Sequence, residues 1–121
     1  MRITDDQKIA EYFSFLLDNG FTFTRDYNKA TDSSCSQIYR FSKNEYTYVE
    51  FRILTEKECT FCVCIRGEKS FPNLRMRYKA FIRKWKFKRL FSKEGKDDWL
   101  LDSEILQEEL RTKGSLFGIE V

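Results

Sequence analysis

Along residues 4 to 18, TDDQKIAEYFSFLLD, the apolar positions Ile9, Phe13, Leu16 and Leu17 return to one side every three or four residues, which is the period of an α-helix. Thr4 or Asp5 offers an N-cap, and Asn19-Gly20 closes the helix, because a glycine just past the last apolar position accepts the left-handed backbone of a C-cap. The period then falls to two. Phe21 and Phe23 alternate with Thr22 and Thr24 as a short strand, polar Arg25 to Ser36 reads as a loop, and Gln37, Tyr39 and Phe41 then alternate with Ile38 and Arg40. Ser42-Lys43-Asn44-Glu45 carries turn chemistry. Beyond it Thr47, Val49, Phe51 and Ile53 alternate with Tyr46, Tyr48, Glu50 and Arg52. Cys59 to Arg66 sets Phe61, Val63 and Ile65 against Thr60, Cys62, Cys64 and Arg66, closing at Gly67. The pattern predicts an antiparallel meander of about four strands whose Val/Phe/Ile face is covered by the first helix.

After Pro72 the period returns toward 3.6, with Leu74, Tyr78, Phe81, Ile82 and Trp85 on one stripe, yet Lys86-Phe87-Lys88 alternates. Residues 75 to 91 therefore read as helix or strand, and periodicity leaves both open. Ser92 to Asp98 is a charged linker. A last helix is capped by Asp102 or Ser103, turns Ile105, Leu106 and Leu110 inward, and ends with Arg111, Lys113 and Gly114. Leu116 to Val121 adds an edge strand or frays. The fold class is α+β, and 121 residues suit one domain over 1–121, since two cores would each be too small.

Composition sharpens this picture in three places. Aromatic residues make up 17 %, twelve of them Phe, enough ring area for a compact core. No apolar run approaches the roughly 20 residues that span a bilayer, and the chain does not open on a leader, so the expectation is a cytoplasmic protein with reduced thiols and no membrane partner. The net charge of +3 predicts no nucleic-acid function by itself.

Histidine is absent, which removes the commonest general base, the Ser-His and Cys-His pairs and every His-ligated metal. The five glycines write no phosphate-binding loop. The expectation is no enzyme and no cofactor. Cys59, Cys62 and Cys64, with Cys35 in reserve, are the one metal-like set, but ECTFCVCI alternates like a strand where a zinc knuckle needs a tight turn. They read as structural thiols with no metal. Asp97, Asp98, Asp102, Glu104, Glu108 and Glu109 read as a solvated acidic helix face.

Two surfaces remain as binding candidates. One is the second face of the sheet, where Tyr39 and Phe41, Tyr46 and Tyr48, Glu50 and Arg52, and Cys62 and Cys64 would cluster; either another element covers it or it meets a protein partner through Tyr39, Tyr46, Tyr48, Glu50 and Arg52. The other is the acid-free strip Arg75, Arg77, Lys79, Arg83, Lys84, Lys86, Lys88 and Arg89, interleaved with Tyr78, Phe81, Trp85 and Phe87, which would track nucleic-acid phosphates and stack on bases. The acids of 94 to 109 would compete for that strip within the molecule.

The helix ending in FLLDNGF, the hairpin IYRFSKNEYTYVEFRI and the strand that follows give residues 1 to about 66 the order of small immunity-type proteins encoded beside bacterial polymorphic toxins, which this half resembles. The resemblance implies a bacterial, non-catalytic partner that neutralises a cognate toxin by binding it, and it assigns no particular residue. The overall positive charge departs from the acidic inhibitors of nucleases, so a nuclease target is not what it implies. The leading expectation is thus a protein-binding module, and the alternative is a nucleic-acid-binding domain using segment 75–89.

Overall fold

The computed structural model describes residues 6–29, 35–53, 59–91 and 97–121, apart from the side chains of 26–29 and 35–36. The chain opens with α1 (Asp6–Tyr12) and α2 (Ser14–Asp18), in which Phe13 N still donates to Ile9 O at 3.0 Å, so the predicted helix is present with an irregular turn in its middle. The caps expected at Thr4 or Asp5 lie outside the described residues. Gly20 leaves the helix at φ 88°, in the left-handed region as anticipated.

Five strands follow as a meander in the order β1-β2-β3-β4-β5: β1 (Thr22–Lys29), β2 (Cys35–Asn44), β3 (Thr47–Ile53), β4 (Cys59–Ile65) and β5 (Glu68–Ser70). All neighbours are antiparallel. The α+β meander is the one expected, with two corrections to its boundaries. Arg25 to Ser36 is not simply a loop, because β1 runs on to Lys29 and β2 starts at Cys35; an edge strand solvated on one side keeps polar residues that mask its period. The fifth strand, β5, is three exposed residues too short to show a pattern.

The second half is helical: α3 (Leu74–Arg77) and α4 (Lys79–Lys88), then α5 (Asp98–Lys113). Segment 75 to 91 is thereby resolved as helix and turn, not strand. Leu74 and Trp85 of its apolar stripe are buried, and Tyr78, Phe81 and Ile82 pack against the core. The last helix starts earlier than read from sequence, since Asp97, not Asp102 or Ser103, is its N-cap and accepts from Trp99 N at 3.1 Å and Leu100 N at 3.3 Å. Gly114 ends it at φ 71°. The chain finishes as its own small hairpin, β6 (Ser115–Leu116) and β7 (Ile119–Glu120), whose Leu116 and Ile119 are buried, so it neither joins the main sheet nor frays.

The core lies between the helices and one face of the sheet. Phe13 meets Phe41 at 5.1 Å and Phe51 at 5.4 Å between ring centres, and Trp99 of α5 sets its edge on Phe51 and Tyr39. Among the described residues no helix is long and apolar enough to cross a membrane.

Candidate functional site

The second face of the sheet is built by a register that one extra residue decides. The β2–β3 turn is Glu45-Tyr46, with Asn44 opposite Thr47, and a bulge between Ser42 and Asn44 then brings Ser42 opposite Tyr48 and Phe41 opposite Val49. Tyr39 and Phe41 consequently join Val49 and Phe51 on the helix-covered face. This corrects their expected grouping with Tyr48: Tyr39 is fully buried in the core, with its hydroxyl 2.9 Å from the Gln37 side-chain oxygen and 3.2 Å from an Asp6 carboxylate oxygen, and it is no part of an exposed patch. Tyr46 belongs to the turn and is 61 % exposed.

What the register gathers on the other face is Ile38, Arg40, Tyr48, Glu50, Arg52, Thr60, Cys62 and Cys64. Ile38, Tyr48, Cys62 and Cys64 are buried yet stand outside the core cluster beneath the helices. The centre of this face is Glu50, which is wholly shielded from solvent. Arg40, across the ladder, donates Nε at 3.0 Å and a terminal nitrogen at 2.9 Å to one carboxylate oxygen, and Arg52 donates Nε at 2.8 Å to the other. A carboxylate in such a place requires this pairing, because an isolated buried charge would be prohibitively desolvated. The guanidinium of Arg40 lies 4.0 Å over the Tyr48 ring. Arg40 and Arg52 keep 37 % and 35 % of their side-chain surface in solvent, so the pair is held from below and open above.

Ionisation is suppressed around this centre. Burial, then a hydrogen bond with Cys64, then the charge of Glu50 push the Tyr48 hydroxyl up to about 12. Burial, reinforced by Glu50, raises the Cys62 thiol, and the Cys64 sulfur donates to Tyr46 O at 3.3 Å. A buried thiol of raised pKa is a poor nucleophile. Cys59 lies half-buried at the start of β4, Cys35 begins β2 with its side chain outside the described residues, and among the described residues no three potential ligands gather to hold a metal ion.

The basic strip is divided by the fold. Arg75 turns to Asp102 at 3.3 Å and Asp98 at 3.5 Å, Arg89 to Glu104 at 3.3 Å, and Arg77 lies over Phe117. Lys79, Arg83, Lys84, Lys86 and Lys88 have no ion pair among the described residues. Of the interleaved rings, Tyr78 bonds Glu109, Trp85 bonds Glu104 through its indole N–H, and Phe81 packs on the core; only Phe87 points out, 79 % exposed. The acidic residues correct their own expectation, since Asp102 and Glu109 are buried and Asp97 caps α5. Asp102 and Glu109 are internal partners, while Asp98 keeps 45 % of its side-chain surface in solvent.

Three contributors escaped the sequence reading. Arg40 was legible only through its cross-strand pairing with Glu50, which needs the bulge. Leu90 and Phe91, 65 % and 99 % exposed, extend the basic run off the buried stripe, and that displacement was the available signal. No protein-family model, curated protein or solved structure matches this chain.

Proposed function

We propose that this chain is a non-catalytic module that binds another protein through the part of the second sheet face that reaches solvent, Arg40 and Arg52 with Tyr46 in the turn beside them. The observation that carries the reading is the Arg40–Glu50–Arg52 set beside Tyr48. A guanidinium already fixed by a buried carboxylate has less rotamer freedom to lose on association, and Tyr and Arg are the residue types that most often dominate interface energies. The Tyr48 hydroxyl and the buried Cys62 thiol are both shifted away from ionisation.

The likeness of the first half to immunity-type proteins narrows the partner to a toxin domain, neutralised in the bacterial cytoplasm by covering the surface it acts through. The test is co-expression with the product of a toxin-bearing reading frame next to this one. The intact chain should protect the cells and co-purify with the toxin. Arg52→Ala combined with Tyr46→Ala should weaken the complex about tenfold or more while leaving the circular dichroism and melting temperature near those of the parent. Full protection by that double variant would remove the sheet face from the reading, and failure of the parent to bind the toxin would remove the toxin.

A further inference from the structure

The outer side of α4 combines two features that the sheet face lacks. Lys79, Arg83, Lys84, Lys86 and Lys88 form no ion pair among the described residues, and exposed apolar side chains stand among them. Arg83 and Lys84 precede Phe87 by four and three residues and so share its side of the helix, while Leu90 and Phe91 follow in the turn immediately beyond Lys88. The opposite side is anchored, with Trp85 buried and Arg89 lying 4.8 Å over its ring. The helix therefore cannot roll to hide Phe87.

We infer that this side of α4 rests on an anionic lipid bilayer, with Phe87, Leu90 and Phe91 entering the headgroup boundary and the surrounding lysines and arginine meeting lipid phosphates. A basic helix with large apolar residues on its outward side lies in the plane of a membrane interface; its charge draws it to anionic lipid and its rings hold it there. The length of an apolar run, on which the sequence reading set membranes aside, bears on spanning a bilayer and not on lying at its surface. Charge alone would suit nucleic acid equally, but the rings decide. Tyr78, Phe81 and Trp85 are turned toward the protein and cannot stack on bases, which leaves Phe87 alone of the four interleaved rings. Leu90 and Phe91 are exposed beyond the buried stripe, where phosphates would leave them wet and a lipid interface would bury them.

Sedimentation of the full chain with vesicles of phosphatidylcholine, and of phosphatidylcholine mixed with phosphatidylglycerol, tests the inference. The chain should pellet with the mixed vesicles, remain in solution with the neutral ones, and be released by salt. Phe87→Ser with Phe91→Ser keeps every charge, and Lys84→Glu with Lys88→Glu keeps every ring; each pair should lower vesicle affinity about tenfold or more. These side chains are all exposed, and unchanged circular dichroism checks that the fold survives. Equal behaviour toward the two vesicles, or a serine pair that binds as well as the parent, overturns the proposal. So does binding to single- or double-stranded DNA at matched salt that is tighter than to the mixed vesicles, because the strip would then be a nucleic-acid surface.

Discussion

Glu50 shows how much one residue can set. Among the described residues its carboxylate is the one negative group paired with Arg40 and Arg52, and it reaches no solvent. Removing a buried partner commonly costs 3–5 kcal/mol, but both arginines keep about a third of their surface wet, so solvent recovers part of their charge. Glu50→Ala should destabilise the fold by about 2 kcal/mol. Arg52→Ala should cost about 1 kcal/mol or less, since Arg40 still bonds the carboxylate through its other oxygen. Urea unfolding of the two variants measures the difference. A loss for Arg52→Ala as large as for Glu50→Ala would mean that the arginine is a packing residue of the sheet, and the face would no longer count as a surface free to meet a partner.

At the scale of elements, α1 and α5 are tied by one carboxylate. Asp97 caps α5 and also accepts from the Tyr12 hydroxyl at 2.7 Å, with Lys8 at 3.5 Å. Burial pulls its pKa upward, but the Tyr12 and Leu100 hydrogen bonds and the Lys8 charge prevail, and the group ends below its ordinary value of 3.8. The folded chain thus holds this carboxylate ionised at a pH where the unfolded chain has begun to take up the proton. Its contribution is complete above the ordinary carboxylate range and is lost as pH falls through the depressed value. Asp97→Ala should cost about 1–2 kcal/mol at neutral pH, and the gap to the parent should narrow by about pH 3. Denaturant titrations at the two pH values check this, and a gap that widens in acid would be the wrong sign. That cap also marks what the sequence made legible. Helix ends announced by Gly20 and Gly114 were readable because only a left-handed backbone serves there. The start of α5 was not, since both Asp97 and Asp102 are competent caps and only packing chooses: Asp102 is buried against Arg75, and Ser103 donates to Tyr12 O. The sheet faces failed for a different reason. Period two assigns sides within a strand, whereas which sides coincide across a hairpin depends on the turn and on the bulge beside Lys43, and one residue there moved Tyr39 from the candidate patch to the core.

For the whole molecule the question is whether the meander and the helical second half stand alone. The contacts argue that they do not. One buried cluster runs from Ile9 to Ile119 and includes both tryptophans. Ser103 and Asp97 of the second half bond Tyr12 of the first, and Phe61 of β4 faces Phe117 of the last hairpin at 5.3 Å. Within the second half, buried Glu109 joins the Tyr78 hydroxyl, Phe117 N at 3.2 Å and Lys113 at 3.5 Å, so α4, α5 and the hairpin hold together through one side chain. Neither half keeps a covered core once the other leaves, and unfolding should be a single cooperative step. Trp85 reports the α4–α5 contact and Trp99 the junction of α5 with Phe51 and Tyr39, so each region carries its own fluorophore. Trp85→Phe leaves Trp99 as the sole tryptophan, and its transition in urea should coincide with that of the far-ultraviolet circular dichroism. If α4 were instead an independent arm, the parent's fluorescence would change in two stages, the earlier one vanishing in Trp85→Phe. A one-step transition has a consequence for binding as well: the second sheet face and the outer side of α4 would then belong to one rigid frame, so a ligand on either surface raises the stability of both.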